Sequence, residues 1–330
     1  MKKLGLAIVS FAHIHAWNYA KVLKGMGSAE LIAIYDDDEA RLRKASELFN
    51  VKRAFDDYGS LLRDPDVDAV IITSENAKHK QYAVLAAEEG KHILCEKPIA
   101  TNLSDADEII TKAKRSGVKL QIAFVMRYHP ATVEVKRLIG EGVVGGIRAI
   151  MATNHGKYPG GWFGDPSLAG GGAIMDHTVH VADLIRWYTS SEVREVYAIK
   201  GVNLRPELRV EDNALISLEL ANGVVGSIDC SWSRPDNWPT WGDVYLHIVG
   251  EEGYIIVDAF RSNITLVNSK GTEWVYFGTD PDLKMIEDFV NCILEDREPR
   301  AKGEDGRKAL EVALAAYKSI GLGRPVKLPL

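Results

Sequence analysis

The sequence predicts an α/β fold in two parts. A doubly wound parallel sheet is expected over residues 1–123, and an α+β domain with a large, mostly antiparallel open sheet over 124–330. Three observations predict this. Up to about residue 123, short apolar runs alternate with stretches of helical periodicity, as in a parallel sheet with helices on both faces. Beyond that point the chain turns β-rich, with hairpin signals between long runs. The 330 residues, 46% hydrophobic and 26% charged, suffice for two ordinary cores.

Strands are expected at "LGLAIVS", "AELIAIYD", "KRAFD", "AVIITS", "KHILCEK" and "KLQIAF". Helices fall between them at "HAWNYAKVLKGM", "EARLRKASELF", "YGSLLRD", "NAKHKQYAVLAAEEG" and "LSDADEIITKAKRSG". The last two end in Gly90 and Gly117, common stop signals. In the second part, a helix near 131–140 precedes the strand runs "GIRAIMATNHG", "VREVYAIKGVN", "NALISLELANGVVGSIDCSW", "DVYLHIVGEEGYIIVDAF", "SNITLVN" and "TEWVYFG". Asn222-Gly223 and the Glu-Glu-Gly of 251–253 read as hairpin turns. Further helices are expected near 174–189, 282–296 and 305–320.

A net charge of −6 without a basic stretch speaks against nucleic acid or an anionic membrane as partner. No apolar run is long enough to span a bilayer. The opening "MKKLGLAIVSFAHIHA" reads as the first strand rather than a signal peptide, because histidines interrupt it. Cys95, Cys230 and Cys292 are far apart and odd in number, with neither metal spacing nor a disulfide framework. A reducing cytoplasm is the expected location.

The first strand runs straight into a turn, "SFAHIH", and then a helix. A glycine-rich dinucleotide loop belongs at such a place. Here Ser10, Ala12 and His15 stand at the three glycine positions, with Phe11, His13 and Ile14 between them. The helix end would still offer backbone N–H groups and a positive dipole to phosphates. The second strand ends at Asp36, 21 residues past His15, close to the ~20 expected for an acid that binds the adenosine ribose. Asp37 and Asp38 follow. Like charges ~4 Å apart cost on the order of 4 kcal/mol near a surface, which favours NAD over NADP. Arg41 and Arg43 soften that preference.

"CEKPIA" (95–100) places Glu96, Lys97 and Pro98 at a strand's carboxyl end, where open α/β sheets hold ligands. In "GGGAIMDHTVHVADLIRWY" (170–188), Asp176 and His180 share one face of a helix, with Asp183 a turn further on. The preceding glycines allow close approach of another group. These two stretches resemble the Glu-Lys-Pro and Gly-Gly-x-x-x-Asp-x-Gly-x-His-x-x-Asp motifs of the Gfo/Idh/MocA family, with Thr178 where glycine is usual. "TSENAKH" (73–79), "FVMRYHP" (124–130) and the C-terminal "DFVNCILEDREPRAKGEDGRKALEVALAAYKSIGLGRPVKLP" resemble further family segments.

The resemblance implies an NAD-binding Rossmann domain followed by a domain for substrate binding and oligomerisation. It implies an NAD(P)-dependent oxidoreductase acting on a sugar, sugar derivative or cyclitol. Lys97 would be the acid/base, and Asp176 and His180 would orient substrate and relay the proton, supported by Asp183. Glu96 would fix the nicotinamide ribose. Cofactor contacts are expected from Ser10, Phe11, Ala12, His13, Ile14, Asp36, Asp37, Thr73, Ser74, Asn76, His79, Glu96, Lys97 and Arg127. Substrate contacts are expected from His15, Lys97, His155, Trp162, Asp176, His177 and His180. A free lysine has a pKa of ~10.4, so burial and the cofactor's charge would have to lower that of Lys97. Asp176, His177 and His180 are donor types that zinc accepts, but on a helix His177 points about 100° away from the other two, and no metal is expected.

Two rival functions stand beside the dehydrogenase: an NAD-using glycoside hydrolase or lyase with transient oxidation, and a dinucleotide-sensing regulator without catalysis. Aromatic residues left over in the second sheet (Trp232, Trp238, Trp241 and Tyr245) suit an open face, and a homodimer or homotetramer through that sheet is expected.

Overall fold

The computed structural model describes residues 3–261, 263–268, 271–276 and 278–330. Met1 and Lys2, with Ser262 and Phe277 of two expected strands, lie outside the described residues. The chain divides into two compact units, Met1–Val125 with Pro281–Arg307, and Met126–Asp280 with Lys308–Leu330.

The first unit alternates strand and helix as its periodicity requires. In chain order these are β1 (Leu4–Val9), α1 (His15–Gly25), β2 (Ala29–Tyr35), α2 (Glu39–Phe49), β3 (Arg53–Phe55) and α3 (Tyr58–Leu62). Then come β4 (Ala69–Ile72), α4 (His79–Glu88), β5 (His92–Cys95), α5 (Leu103–Ser116) and β6 (Leu120–Ile122). The strands form one parallel sheet in the order β3-β2-β1-β4-β5-β6. Its central strands are apolar end to end because helices cover both faces; Leu6–Val9 and Ala69–Ile72 are fully buried. Asp38, Asp57 and Asn102 cap α2, α3 and α5. Gly90 and Gly117 follow α4 and α5 in the left-handed conformation, as expected of stop signals.

In the second unit the order is α6 (Pro130–Gly140), β7 (Ile147–Lys157), α7 (Pro166–Ala169), α8 (Val179–Thr189), β8 (Val193–Lys200), β9 (Asn213–Leu220) and β10 (Val225–Arg234). β11 (Gly242–Gly250), β12 (Tyr254–Asp258), β13 (Asn263–Asn268) and β14 (Gly271–Tyr276) follow. The chain closes with α9 (Pro281–Leu294), α10 (Gly303–Leu322) and β15 (Val326–Lys327). The large sheet runs β12-β11-β7-β10-β9-β8-β15, antiparallel except where β7 meets β10. Alternation divides it into two faces. Ile150, Ala152, Ile228, Trp232 and Leu246 are buried on the inner face, which packs on α8. Met151, Tyr197, Leu215, Val225, Tyr254 and Ile256 stand exposed on the other.

One boundary differs from the sequence reading. Residues 281–307 cluster with the first unit, not with the rest of 124–330. Gln121 donates to the Met285 carbonyl, the Ile122 amide to the Ala301 carbonyl, and Asn18 to Asp282. These bonds join residues more than a hundred positions apart, which local periodicity does not report.

Candidate active site

Four loops leave the carboxyl edge of the parallel sheet, and a polar residue opens each: Ser10 after β1, Asp36 after β2, Thr73 after β4 and Glu96 after β5. Ser10 has φ of +72°. That is the left-handed geometry for which glycine is usual, held here by serine at a strain of about 1 kcal/mol. The turn of a dinucleotide loop is therefore kept without its glycine. Asp36 is buried and ties the loop down, its Oδ2 accepting from the Phe11 amide at 2.7 Å. Arg41 clamps the same carboxylate and also reaches Asp37, 3.0 Å away. Asp37 pairs in turn with Lys78.

The free backbone amides expected of this loop are mostly absent. Ala12 donates to Ser10 Oγ (3.1 Å), His13 to the Thr73 carbonyl (3.0 Å) and His15 to His13 Nδ1 (3.2 Å). With Phe11 on Asp36, only the Ile14 amide of this run lacks an acceptor among the described residues. The polar residues after β4 brace the loops as well. Thr73 Oγ1 donates to the Ser10 carbonyl at 2.6 Å, and Ser74 Oγ to the Glu75 carbonyl. Asn76 is buried beside them. Buried His79 spans the Pro98 and Ser74 carbonyls, and burial pulls its pKa below the usual imidazole range.

The end of β5 carries the densest chemistry. Glu96 and Lys97 are both buried, and Glu96 Oε2 accepts from the Lys97 amide. Glu96 Oε1 accepts from His15 Nδ1 at 2.8 Å and from the Tyr19 hydroxyl at 2.6 Å. Burial opposes ionisation of both partners, and their mutual attraction overrides it. Glu96 is held well below the usual carboxylate range, with His13 and Lys97 adding to the effect of His15. His15 titrates above the ordinary imidazole value because of Glu96. His13, His15 and Glu96 bring ligand atoms within 4.8 Å of one another. Two imidazoles and a carboxylate are a donor set zinc accepts, although the Glu96 oxygens already accept from protein donors.

In the second unit, residues 174–178 make a π-helical turn before α8, where the sequence reading expected α-helix throughout. Such turns recur at functional sites. The wider turn lets neighbours meet: His177 Nε2 lies 3.2 Å from Asp176 Oδ2, not on a separate face. Trp232 Nε1 donates to the same oxygen at 2.9 Å. His177 is fully buried, gives its Nδ1–H to the Asn154 carbonyl and sets its ring edge against Trp241. His180 is buried in the first turn of α8. Trp162 stacks on Phe163 in the cluster that holds Trp232. Trp232 and Trp241 thus belong to the inner side of the sheet rather than its open face.

The glycines ahead of this turn make room for protein. A Cβ on Gly171 would lie 2.0 Å from the Tyr317 hydroxyl, and one on Gly172 1.8 Å from the Glu211 carbonyl oxygen. The Glu211 side chain accepts from the Gly172 and Ile174 amides and from Tyr317, and so sets the turn that carries Asp176. Two expected site residues sit elsewhere. His155 alternates onto the opposite face of β7 from Asn154, between Asp229 and Asp243, which push its pKa up to about 9 against burial. Buried Arg127, expected at the cofactor, makes a bidentate pair with Asp183 at 2.7 and 2.6 Å. Sequence reasoning missed Tyr19, Glu211 and Tyr317. Tyr19 was legible, being one helical turn from His15. The other two have no local signal.

Comparison with known proteins agrees with this geometry. Residues 4–124 match the model of an oxidoreductase family with an NAD-binding Rossmann fold, and residues 132–256 that of the GFO/IDH/MocA C-terminal domain. The chain is 31% identical over 330 residues to a myo-inositol 2-dehydrogenase of Thermotoga maritima, covering 96% of this chain and 95% of that one. It is 26% identical over 336 residues to a scyllo-inositol 2-dehydrogenase (NAD(+)) of Bacillus subtilis, covering 98% and 95%. The crystal structure of a probable dehydrogenase from Thermotoga maritima superposes with a TM-score of 0.86 at 29% identity, over 98% of this chain and 99% of that one. The parallel sheet with its left-handed Ser10, the acid closing β2 and the Glu-Lys-Pro end of β5 are the marks of one lineage: the chain belongs to the Gfo/Idh/MocA family of oxidoreductases.

Proposed function

We propose that this chain is an NAD-dependent dehydrogenase of a CH–OH group in a sugar, sugar derivative or cyclitol. Lys97 is the acid/base, and Asp176 and His180 orient the substrate and pass the proton on. The observation that carries this reading is the place of Lys97, buried at the carboxyl end of β5 beside Glu96, on the edge where such sheets hold ligands. Relatives matching nearly the whole chain are inositol dehydrogenases.

The residues suit the cofactor. Asp36 and Asp37 close β2 where an adenosine ribose belongs, and their charge disfavours a 2′-phosphate, while Arg41 leaves NADP tolerable. The loop Ser10–Ile14 lies at the head of α1, with Thr73, Ser74, Asn76 and His79 bracing its neighbour. Bound NAD supplies the hydride acceptor. The Lys97 amine takes the hydroxyl proton as the carbonyl forms and returns it in the reverse direction. Asp176, held by Trp232, fixes a substrate hydroxyl, and Trp162 belongs to the aromatic wall beside it. His180 carries the proton to solvent.

The first domain thus holds NAD, and the second holds substrate and partner copies. The exposed apolar face of the large sheet fits a homodimer or homotetramer, checked by light scattering. Three free, buried thiols fit the cytoplasm. No described helix is long and apolar enough to cross a membrane.

The test is a panel of polyols and sugars with NAD, followed by absorbance of the reduced cofactor. Net accumulation of NADH is expected, and transient oxidation without net NADH would overturn the assignment. Lys97→Ala is expected to lower turnover about 10²–10⁴-fold with NAD binding kept. Full turnover in that variant would remove Lys97 from the chemistry.

A further inference from the structure

The loop that replaces the glycine fingerprint has little backbone left for a phosphate. The amides of Phe11, Ala12, His13 and His15 are spent on acceptors inside the protein. Yet α1 starts with no capping side chain and no acid in its first turn, so its positive end is not neutralised. His15 is the first residue of that helix, at the third glycine position. Its Nδ1 is fixed by buried Glu96, while 28% of the side chain stays exposed. Among the described residues, no hydrogen bond engages its Nε2.

The sheet says what passes this nitrogen. Asp36 follows β2, Glu96 follows β5, and β1 with its loop lies between them in the strand order. A dinucleotide that spans the switch point keeps one ribose on each side and its diphosphate at the head of α1. His15 leans from that head toward Glu96.

We propose that His15 is a ligand of the dinucleotide diphosphate, its imidazolium donating through Nε2 where the family's loop relies on glycines and backbone. This deepens the NAD reading above and rests on it. The groups facing His15 are Glu96 and the more distant Asp282, which favour its charge, Lys97, which opposes it, and the His13 and Tyr19 rings. The two carboxylates prevail, so the ring is charged at neutral pH. A charge-assisted bond to phosphate replaces the amide bonds the loop has spent. The sign follows: affinity is fully present while the ring is protonated and declines as pH rises through its elevated pKa.

The test uses the full chain with ADP-ribose, which carries the diphosphate without nicotinamide, and adenosine, which carries neither. Calorimetry from about pH 6 to about pH 10 is expected to show ADP-ribose weakening about tenfold in the wild type, and adenosine unchanged. His15→Gln is expected to bind ADP-ribose about tenfold more weakly than the wild type at the acidic end, with a flat pH profile. An ADP-ribose profile in His15→Gln that matches the wild type would overturn the proposal. So would a loss seen with NAD but not with ADP-ribose, which would move His15 to the nicotinamide or substrate. A wild type that binds neither NAD nor ADP-ribose would overturn the NAD reading itself, a result distinct from a flat profile at full affinity, which refutes His15 alone.

Discussion

The loop after β1 and the loop before the π turn solve similar problems with opposite residues. Ser10–Ile14 holds no glycine where three are usual in a dinucleotide loop, and Gly170–Gly172 holds three in a row. In the first, a serine takes the left-handed conformation, and Asp36, Thr73 and its own hydroxyl satisfy the loop's amides. In the second, each glycine answers a separate demand. Gly170 ends α7 at φ +80°, Gly171 admits the Tyr317 hydroxyl, and Gly172 admits the Glu211 carbonyl. The difference teaches that a glycine pattern is a statement about space and torsion, and that the group taking the space can be the protein itself.

The sharpest break of that comparison is Gly172→Ala. Its Cβ would meet backbone oxygen at 1.8 Å with nothing flexible to yield, so a loss of more than about 4 kcal/mol or a failure to fold is expected in urea denaturation. Gly171→Ala meets a side-chain tip instead and should cost about 2–3 kcal/mol. Part of that should return in combination with Tyr317→Phe, with a coupling of about 1 kcal/mol in a double-mutant cycle. Independence of the two sites would show that Tyr317 is not what Gly171 accommodates.

On the glycine-free side the effects are smaller. Asp36→Ala removes the acceptor of the Phe11 amide and leaves Arg41 without its main partner. About 1–2 kcal/mol of stability should be lost. NAD binding should weaken and discrimination against NADP relax, both read by cofactor titration. Smallest of all, Ser10→Gly should change stability by less than about 1 kcal/mol. It relieves left-handed strain of about 1 kcal/mol and forfeits the Oγ bond to the Ala12 amide, worth about the same. A large loss there would mean that the hydroxyl, not the torsion, holds the turn.

Much of the molecule was legible in local pattern. The six parallel strands, the β-rich second half, both hairpin turns and the helix stops follow from periodicity and turn chemistry that act over a few residues. The motif at β5 was legible too, because a strand end with Glu-Lys-Pro is one short stretch. His155 was misplaced beside the substrate because a strand alternates faces, and the sequence does not say which face looks at which helix.

By itself, then, the sequence determined the order and kind of the elements and the lineage they belong to. Only the tertiary structure decided that 281–307 joins the first unit, that Glu96 is shared by His15 and Tyr19, and that Glu211 and Tyr317 build the turn under Asp176. Those pairings join residues up to 145 positions apart. They depend on which surfaces the packed elements bring together, and that is a property of the whole core rather than of any window of the chain.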